Sequence, residues 1–283
     1  MTPVWIQDYA AKAIIVRSIS LAMQRTVPRA VQSPVCLVQS QAQIVDDAAP
    51  LRFVGHWDVR GTATLTNNGQ SAVLTLNDRP YQPFVVGGLL GGVYIFEQLH
   101  FHWGPDDSVG CEHLIDGRVH SMEAHLVHYN ARYGSFAEAF NKPDGLMVAA
   151  FLFEAQPNQT DWMPLQPIVR ALRCIEPPGT ATPISANCLC WMAGLVLDRH
   201  YYTYHGSTTT APYRENVIWL VYHAPIFISS QQSNAFRRLM RKQAGSGASL
   251  VPIASNFRPV QSPSSSFRLV FVRDNVPPVQ SKL

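Results

Sequence analysis

No stretch of this chain approaches the roughly 20 uninterrupted apolar residues that crossing a bilayer requires, which excludes an integral helical membrane protein. Charge of one sign is also scarce. The 22 basic and 19 acidic residues fall without long blocks and leave a formal charge of +3, so nothing in the composition calls for nucleic acid as a partner. The densest basic segment, FRRLMRKQ at 236–243, sets Phe236, Leu239 and Met240 at helical spacing, so Arg237, Arg238, Arg241 and Lys242 read as the wet side of a helix. Cysteine is sparse: Cys36, Cys111, Cys174, Cys188 and Cys190 are odd in number and irregular in spacing, which excludes a disulfide framework. Cys188 and Cys190 stand as C-x-C inside the apolar run CLCWMAGLVL and read as small buried strand residues. A secretory core is missing as well, because Lys12 and Arg17 interrupt AAKAIIVRSISLAMQR. Arg17, Arg25, Arg29, Ser18 and Ser20, with Asp8 the one acid, give residues 1–30 some features of a mitochondrial transit peptide; an atypical leader or arm is the other reading.

What the chain does have is apolar content, 47% over 283 residues, enough for a sizeable core. It is distributed in short β-like segments, among them RFVGHWDV, SAVLTLN, YIFEQLHFHW, SMEAHLVHYN, LMVAAFLFEA and NVIWLVYH. Turn signals such as Asn68-Gly69, Asp116-Gly117 and Lys142-Pro143-Asp144-Gly145 separate them. Such close spacing predicts a mainly antiparallel sheet. Helices are expected only at the periphery, over 135–140, about 161–173 and about 231–241, the last with Ser229 or Ser230 as N-cap. The Pro/Ser-rich tract 259–266 precedes another strand, FRLVFVRD, and reads as a loop within one domain.

Two histidines one residue apart in QLHFHWG carry the first hint of chemistry. Strand alternation sends His100 and His102 to one face and Leu99, Phe101 and Trp103 to the other. Alone, the pair is equally readable as hydrogen-bonded core histidines or as two ligands. A third candidate comes from SMEAHLVHYN, where Glu123, His125 and Val127 share a face and Ala124, Leu126 and His128 share the opposite one. The intervening segment contains Gly104, Gly110 and Asp116-Gly117, so the chain can fold back and set His125 opposite the first pair. Three imidazoles leave a fourth tetrahedral position for water, the arrangement of a catalytic zinc.

His100-Phe101-His102-Trp103-Gly104, then Glu112-His113, then Glu123-Ala124-His125-Leu126-Val127-His128, with His125 placed 23 positions after His102, resemble the signature of the α-class carbonic anhydrases. QSPV at 32–35, NNG at 67–69, YHGSTTTAP at 204–212, VIWLV at 217–221 and NFRPVQ at 256–261 extend the resemblance over about residues 30–272. It implies one mainly β (α+β) domain over 31–274, built on a large twisted, mostly antiparallel central sheet with short peripheral helices, between an atypical segment 1–30 and a tail 275–283. It also implies a zinc enzyme that hydrates carbon dioxide reversibly to bicarbonate and a proton through a zinc-bound hydroxide. In the family pattern His100, His102 and His125 hold Zn²⁺, oriented by Gln98, the Asn256 carbonyl and Glu123. Thr209 and Glu112 orient the nucleophile and Thr210 meets the substrate. Val127, Val148, Val217 and Trp219 line the apolar pocket.

Several positions depart from that pattern. Thr208 replaces the usual leucine, which predicts a smaller, more polar pocket wall. Gln70 stands where fast relatives carry a proton-shuttling histidine, and glutamine carries no proton near pH 7, so turnover is expected to be slowed. Residues 1–30 do not reproduce the family's aromatic N-terminal segment, although Trp5 and Tyr9 are present. The disulfide of secreted relatives has no cysteines at its positions, with Tyr213 at the downstream one. These features favour a cytoplasmic monomer over a mitochondrial or secreted protein. The alternative to an enzyme is a catalytically impaired binding protein of the same family, a kind that typically lacks zinc histidines.

Overall fold

A computed structural model describes residues 31–46, 48–243, 245, 249–265 and 267–273. Trp5 and Tyr9 lie outside them. Its centre is a twelve-stranded sheet whose path runs Ala181–Ile184, Thr62–Asn67, Ala72–Asn77, Tyr94–Trp103, Met122–Asn130, Leu146–Gln156, Val217–Ser229, Tyr201–Gly206, Val270–Val272 and Gln43–Val45. Ala49–Val54 and Phe84–Gly88 pair beside this path, the latter against Tyr94–Trp103. Most pairings are antiparallel, as the short turns predict. Leu146–Gln156 against Val217–Ser229 and Val270–Val272 against Gln43–Val45 are parallel, so the sheet is mixed.

The parallel pair sits at the middle for a reason legible in its residues. LMVAAFLFEAQ is apolar almost throughout because both of its faces are covered, whereas a half-solvated strand alternates. On one face Leu99, Phe101, Trp103, Ala124, Leu126, Met147, Ala149 and Phe151 form the main core. On the other, Val127, Val148, Ala150, Val217, Trp219 and Tyr204 form a second cluster. Full burial of such a side chain contributes about 1.5–3 kcal/mol, so the two clusters fix which face each strand presents.

The hairpin anticipated between the histidine-bearing strands exists. Tyr94–Trp103 pairs antiparallel with Met122–Asn130, and His100 stands directly opposite His125. Glycine makes the intervening loop possible at two points: a Cβ on Gly104 would stand 2.1 Å from the Val109 carbonyl, and one on Gly110 2.0 Å from the Ser121 carbonyl.

Helices are short and peripheral, at Phe136–Ala139, Gln166–Leu172 and Ser230–Arg237. Ser229 is the N-cap of the last, its hydroxyl accepting from Gln232 N at 3.1 Å. That helix stops earlier than the apolar spacing suggested. Met240–Lys242 instead forms a strand paired with Leu250–Pro252. Arg237 is not part of a wet face: its Nε donates to the Gly104 carbonyl at 2.8 Å and its guanidinium lies 2.8 Å from Asp107. Cys188 and Cys190 are likewise not in a strand. Cys188 is buried just ahead of the 3₁₀ turn Cys190–Met192.

Candidate metal centre

The site is assembled from consecutive residue rows that cross the sheet. His102 faces Glu123, His100 faces His125, and Gln98 faces Val127. The last row continues through Val148 to Trp219 and Tyr204. Alternation alone puts Gln98 on the histidine face, and a register shift between Phe96 and Gln98 turns Phe96 to the opposite, core face beside His128.

His100, His102 and His125 converge, with one ring nitrogen from each lying within 4.8 Å of the others. Ring centroids are 4.9, 5.2 and 4.5 Å apart. The nitrogens turned away from this point are all engaged by acceptors. His100 Nδ1 donates to Gln98 Oε1 at 3.0 Å, His102 Nδ1 to the Asn256 carbonyl at 3.0 Å, and His125 Nε2 to Glu123 Oε1 at 2.7 Å. Each bond fixes a tautomer, leaving His100 Nε2, His102 Nε2 and His125 Nδ1 with free lone pairs pointing inward. His102 Nε2 is buried and has no hydrogen-bond partner among the described residues, which costs free energy unless something accepts its electrons. Burial, reinforced by the neighbouring imidazoles around His100 and His125, holds all three below the usual histidine range. They are therefore neutral, the form that binds a metal. Three neutral imidazoles whose far nitrogens are held by acceptors suit a borderline divalent ion such as zinc and leave a coordination position open.

Glu123 anchors the arrangement. Its Oε2 accepts from the main-chain N–H of Glu112 at 2.7 Å and of His113 at 2.8 Å, and its Oε1 lies 2.7 Å from both His113 Nδ1 and His125 Nε2. Burial pushes this carboxyl up, but His113 and the bonds from both imidazoles outweigh it and hold Glu123 well below the ordinary carboxylate range. Glu112 is in the opposite balance. Burial pushes it up to about 7 against the pull of His125, the Thr209 hydroxyl and the Arg258 N–H, which donates to Oε1 at 2.7 Å.

Of the remaining positions singled out in the sequence, Val127, Val148, Val217 and Trp219 lie together in the second cluster. Trp219 stacks edge-on against His125 with ring centroids 4.8 Å apart. Thr209 is buried and Thr210 exposed. Gln70 is exposed, and its carbonyl accepts from Asn256 Nδ2 at 2.9 Å, which ties it to the residue that orients His102. Thr208 is half-buried, and its hydroxyl donates to the Thr210 carbonyl at 2.9 Å and accepts from Arg214 N at 3.0 Å.

A chain of buried polar groups behind Glu123 escaped the sequence reading. His113 Nε2 lies 2.7 Å from Tyr204 Oη, which lies 2.8 Å from Ser33 Oγ, and Ser33 Oγ accepts from Ser207 N at 3.0 Å. The Glu112-His113 dipeptide and the QSPV segment were the available signals, but neither carried a partner.

A cluster of three imidazoles that could hold a metal ion, set beside an apolar wall on a large mixed sheet, is the kind of centre a metal-dependent enzyme has. The chain belongs to the eukaryotic-type carbonic anhydrases, whose family model matches residues 23–273. It is 36% identical over 234 residues to carbonic anhydrase 7 of Homo sapiens, covering 81% of this chain and 84% of that protein. It is also 33% identical over 231 residues to carbonic anhydrase 3 of Sus scrofa, covering 81% and 85%. Membership makes the chain an enzyme of carbon dioxide hydration. No helix among the described residues is long and apolar enough to cross a membrane.

Proposed function

We propose that the chain hydrates carbon dioxide to bicarbonate and a proton at a zinc ion held by His100 Nε2, His102 Nε2 and His125 Nδ1. One observation carries this reading: three neutral imidazoles, His102 and His125 buried and His100 half-buried, present free nitrogens within 4.8 Å of one another while acceptors hold their far sides. When bound, zinc supplies a water acidic near pH 7, the general figure for carbonic anhydrases.

The other roles belong to the chain's own side chains. Thr209 accepts the hydrogen of the attacking oxygen and directs its own hydroxyl to Glu112, a positioning effect that aims a lone pair at the substrate carbon. Glu112 accepts that bond most strongly when ionised, and a metal dication bound close by would favour the ionised form. Val127, Val148, Val217 and Trp219 give carbon dioxide a dry wall that binds it without competing water. Thr210, exposed at the mouth, donates to bicarbonate. Gln70 holds the position from which a proton would leave, and its amide cannot carry one. Turnover is therefore limited by proton release. Five unpaired thiols fit a reducing cytoplasm, and we assign the chain there as a monomer.

Stopped-flow hydration by the zinc-loaded protein at several imidazole concentrations tests this reading. Turnover rising with imidazole supports it; a rate indifferent to imidazole removes the proton-release step. No hydration at full zinc occupancy would favour the impaired binding protein instead.

A further inference from the structure

Thr208 departs from the family pattern, and its hydroxyl is fully used. The Thr208 N–H donates to the Arg214 carbonyl at 2.8 Å, while Oγ1 accepts from Arg214 N at 3.0 Å and donates to the Thr210 carbonyl at 2.9 Å. Tyr213 N reaches the same Thr210 carbonyl at 2.9 Å. Thr208's own carbonyl accepts from the Ser207 hydroxyl at 2.9 Å, and the acceptor that Arg214 N finds is the Thr208 side chain. The loop is thus closed on itself at one residue, with Thr209 as the first residue inside it.

The far side of the loop is pinned independently. Tyr213, at φ 57°, packs its ring 3.9 Å from the Arg258 guanidinium, and its carbonyl accepts from Gln32 Nε2 at 3.3 Å. The Arg258 main-chain N–H in turn holds Glu112, the carboxylate to which Thr209 is directed. Both partners of the Thr209–Glu112 pair are therefore referred to the same short loop. A leucine at 208 would leave Arg214 N without this acceptor and Thr209 tethered through one fewer bond.

We propose that Thr208 is a positioning residue for Thr209, its hydroxyl latching the Thr208–Arg214 loop; the inference rests on the function proposed above. Thr208→Val replaces the hydroxyl by a methyl of the same shape, and Thr208→Ser keeps the hydroxyl. In zinc-free protein, Thr208→Val speeds hydrogen exchange at the Arg214 amide by about fivefold, the equivalent of one ordinary hydrogen bond. In zinc-loaded protein it lowers kcat/KM for carbon dioxide by roughly tenfold at unchanged zinc content, the size expected of a misplaced orienting group. Thr208→Ser restores both. Unchanged exchange, unchanged kcat/KM against an active wild type, or a serine variant as impaired as the valine would each overturn the proposal. A zinc-loaded wild type without activity would overturn the proposed function and the catalytic half of this inference, while the metal-free exchange comparison would still decide the latch.

Discussion

Glu123→Gln changes one oxygen to an amide nitrogen and keeps the shape, yet the structure predicts a large loss. The carboxylate takes four donors: two main-chain N–H groups on Oε2 and two imidazole nitrogens on Oε1, all at 2.7–2.8 Å. It is completely buried, so water cannot substitute. A glutamine offers one acceptor atom and adds two hydrogens. With its oxygen toward the imidazoles, its NH₂ confronts the N–H groups of Glu112 and His113; reversed, it confronts His113 and His125. Either way two buried donors lose their acceptor, at about 1–3 kcal/mol each, so about 4 kcal/mol in total. That is a large share of the 5–15 kcal/mol typical of a folded domain. The assay is urea unfolding of zinc-free protein, which removes metal affinity from the comparison. Zinc affinity should separately fall by about 10–100-fold, since in either orientation His125 loses the charged acceptor that orients it and raises its basicity. A variant within 1 kcal/mol of wild type, or with undiminished zinc affinity, would refute the four-donor account.

Other outcomes follow from the same geometry. His56 and His128 meet Nε2 to Nε2 at 2.9 Å on the core face, and burial holds His56 well below the usual range and His128 at about 3. Their folded values lie below the unfolded 6.5, so stability is complete above pH 6.5 and falls as the unfolded chain takes up protons the folded one refuses. His128 alone should remove about 2 kcal/mol by pH 5, measured as a lower urea midpoint than at pH 7. A midpoint unchanged between those values would contradict the buried pair. His102→Ala should reduce bound zinc from stoichiometric to near zero by atomic absorption while near-native circular dichroism persists; stoichiometric zinc would exclude His102 as a ligand. Chelation should abolish hydration and added zinc restore it, whereas Mg²⁺, which prefers oxygen ligands, should not.

Alternation made much of this molecule readable. The parity of YIFEQLHFHW and SMEAHLVHYN put His100, His102 and His125 on one face and Phe101 and Leu126 on the other, because one face of each strand packs into the main core, while the histidine face of Met122–Asn130 meets the second cluster through Val127. The flanking glycines announced the turn between them. What stayed hidden depends on partners far along the chain. Phe236, Leu239 and Met240 fit a helix as spaced, but pairing with Leu250–Pro252 claims Met240–Lys242 for a strand, and Arg237 is used by Gly104 and Asp107 across the fold. The His113–Tyr204–Ser33 chain joins residues from three separate segments, and no local pattern encodes it. Cys188 and Cys190 misled because a buried turn and a buried strand have the same composition.

The row construction of the site has a consequence for how such a protein can change. His100 opposite His125, Gln98 opposite Val127, and the line from Val127 through Val148 to Trp219 are neighbouring rungs of one ladder. An inserted or deleted residue within any of these strands would displace the imidazoles and the apolar wall in the same stroke, so neither is adjustable by sliding strands. Diversification is confined to exchanging side chains in place, or to the segments hung outside the ladder. The Thr208–Arg214 loop is such a segment, and there a lineage or a designer can retune how tightly Thr209 is held while leaving the histidine rows as they were.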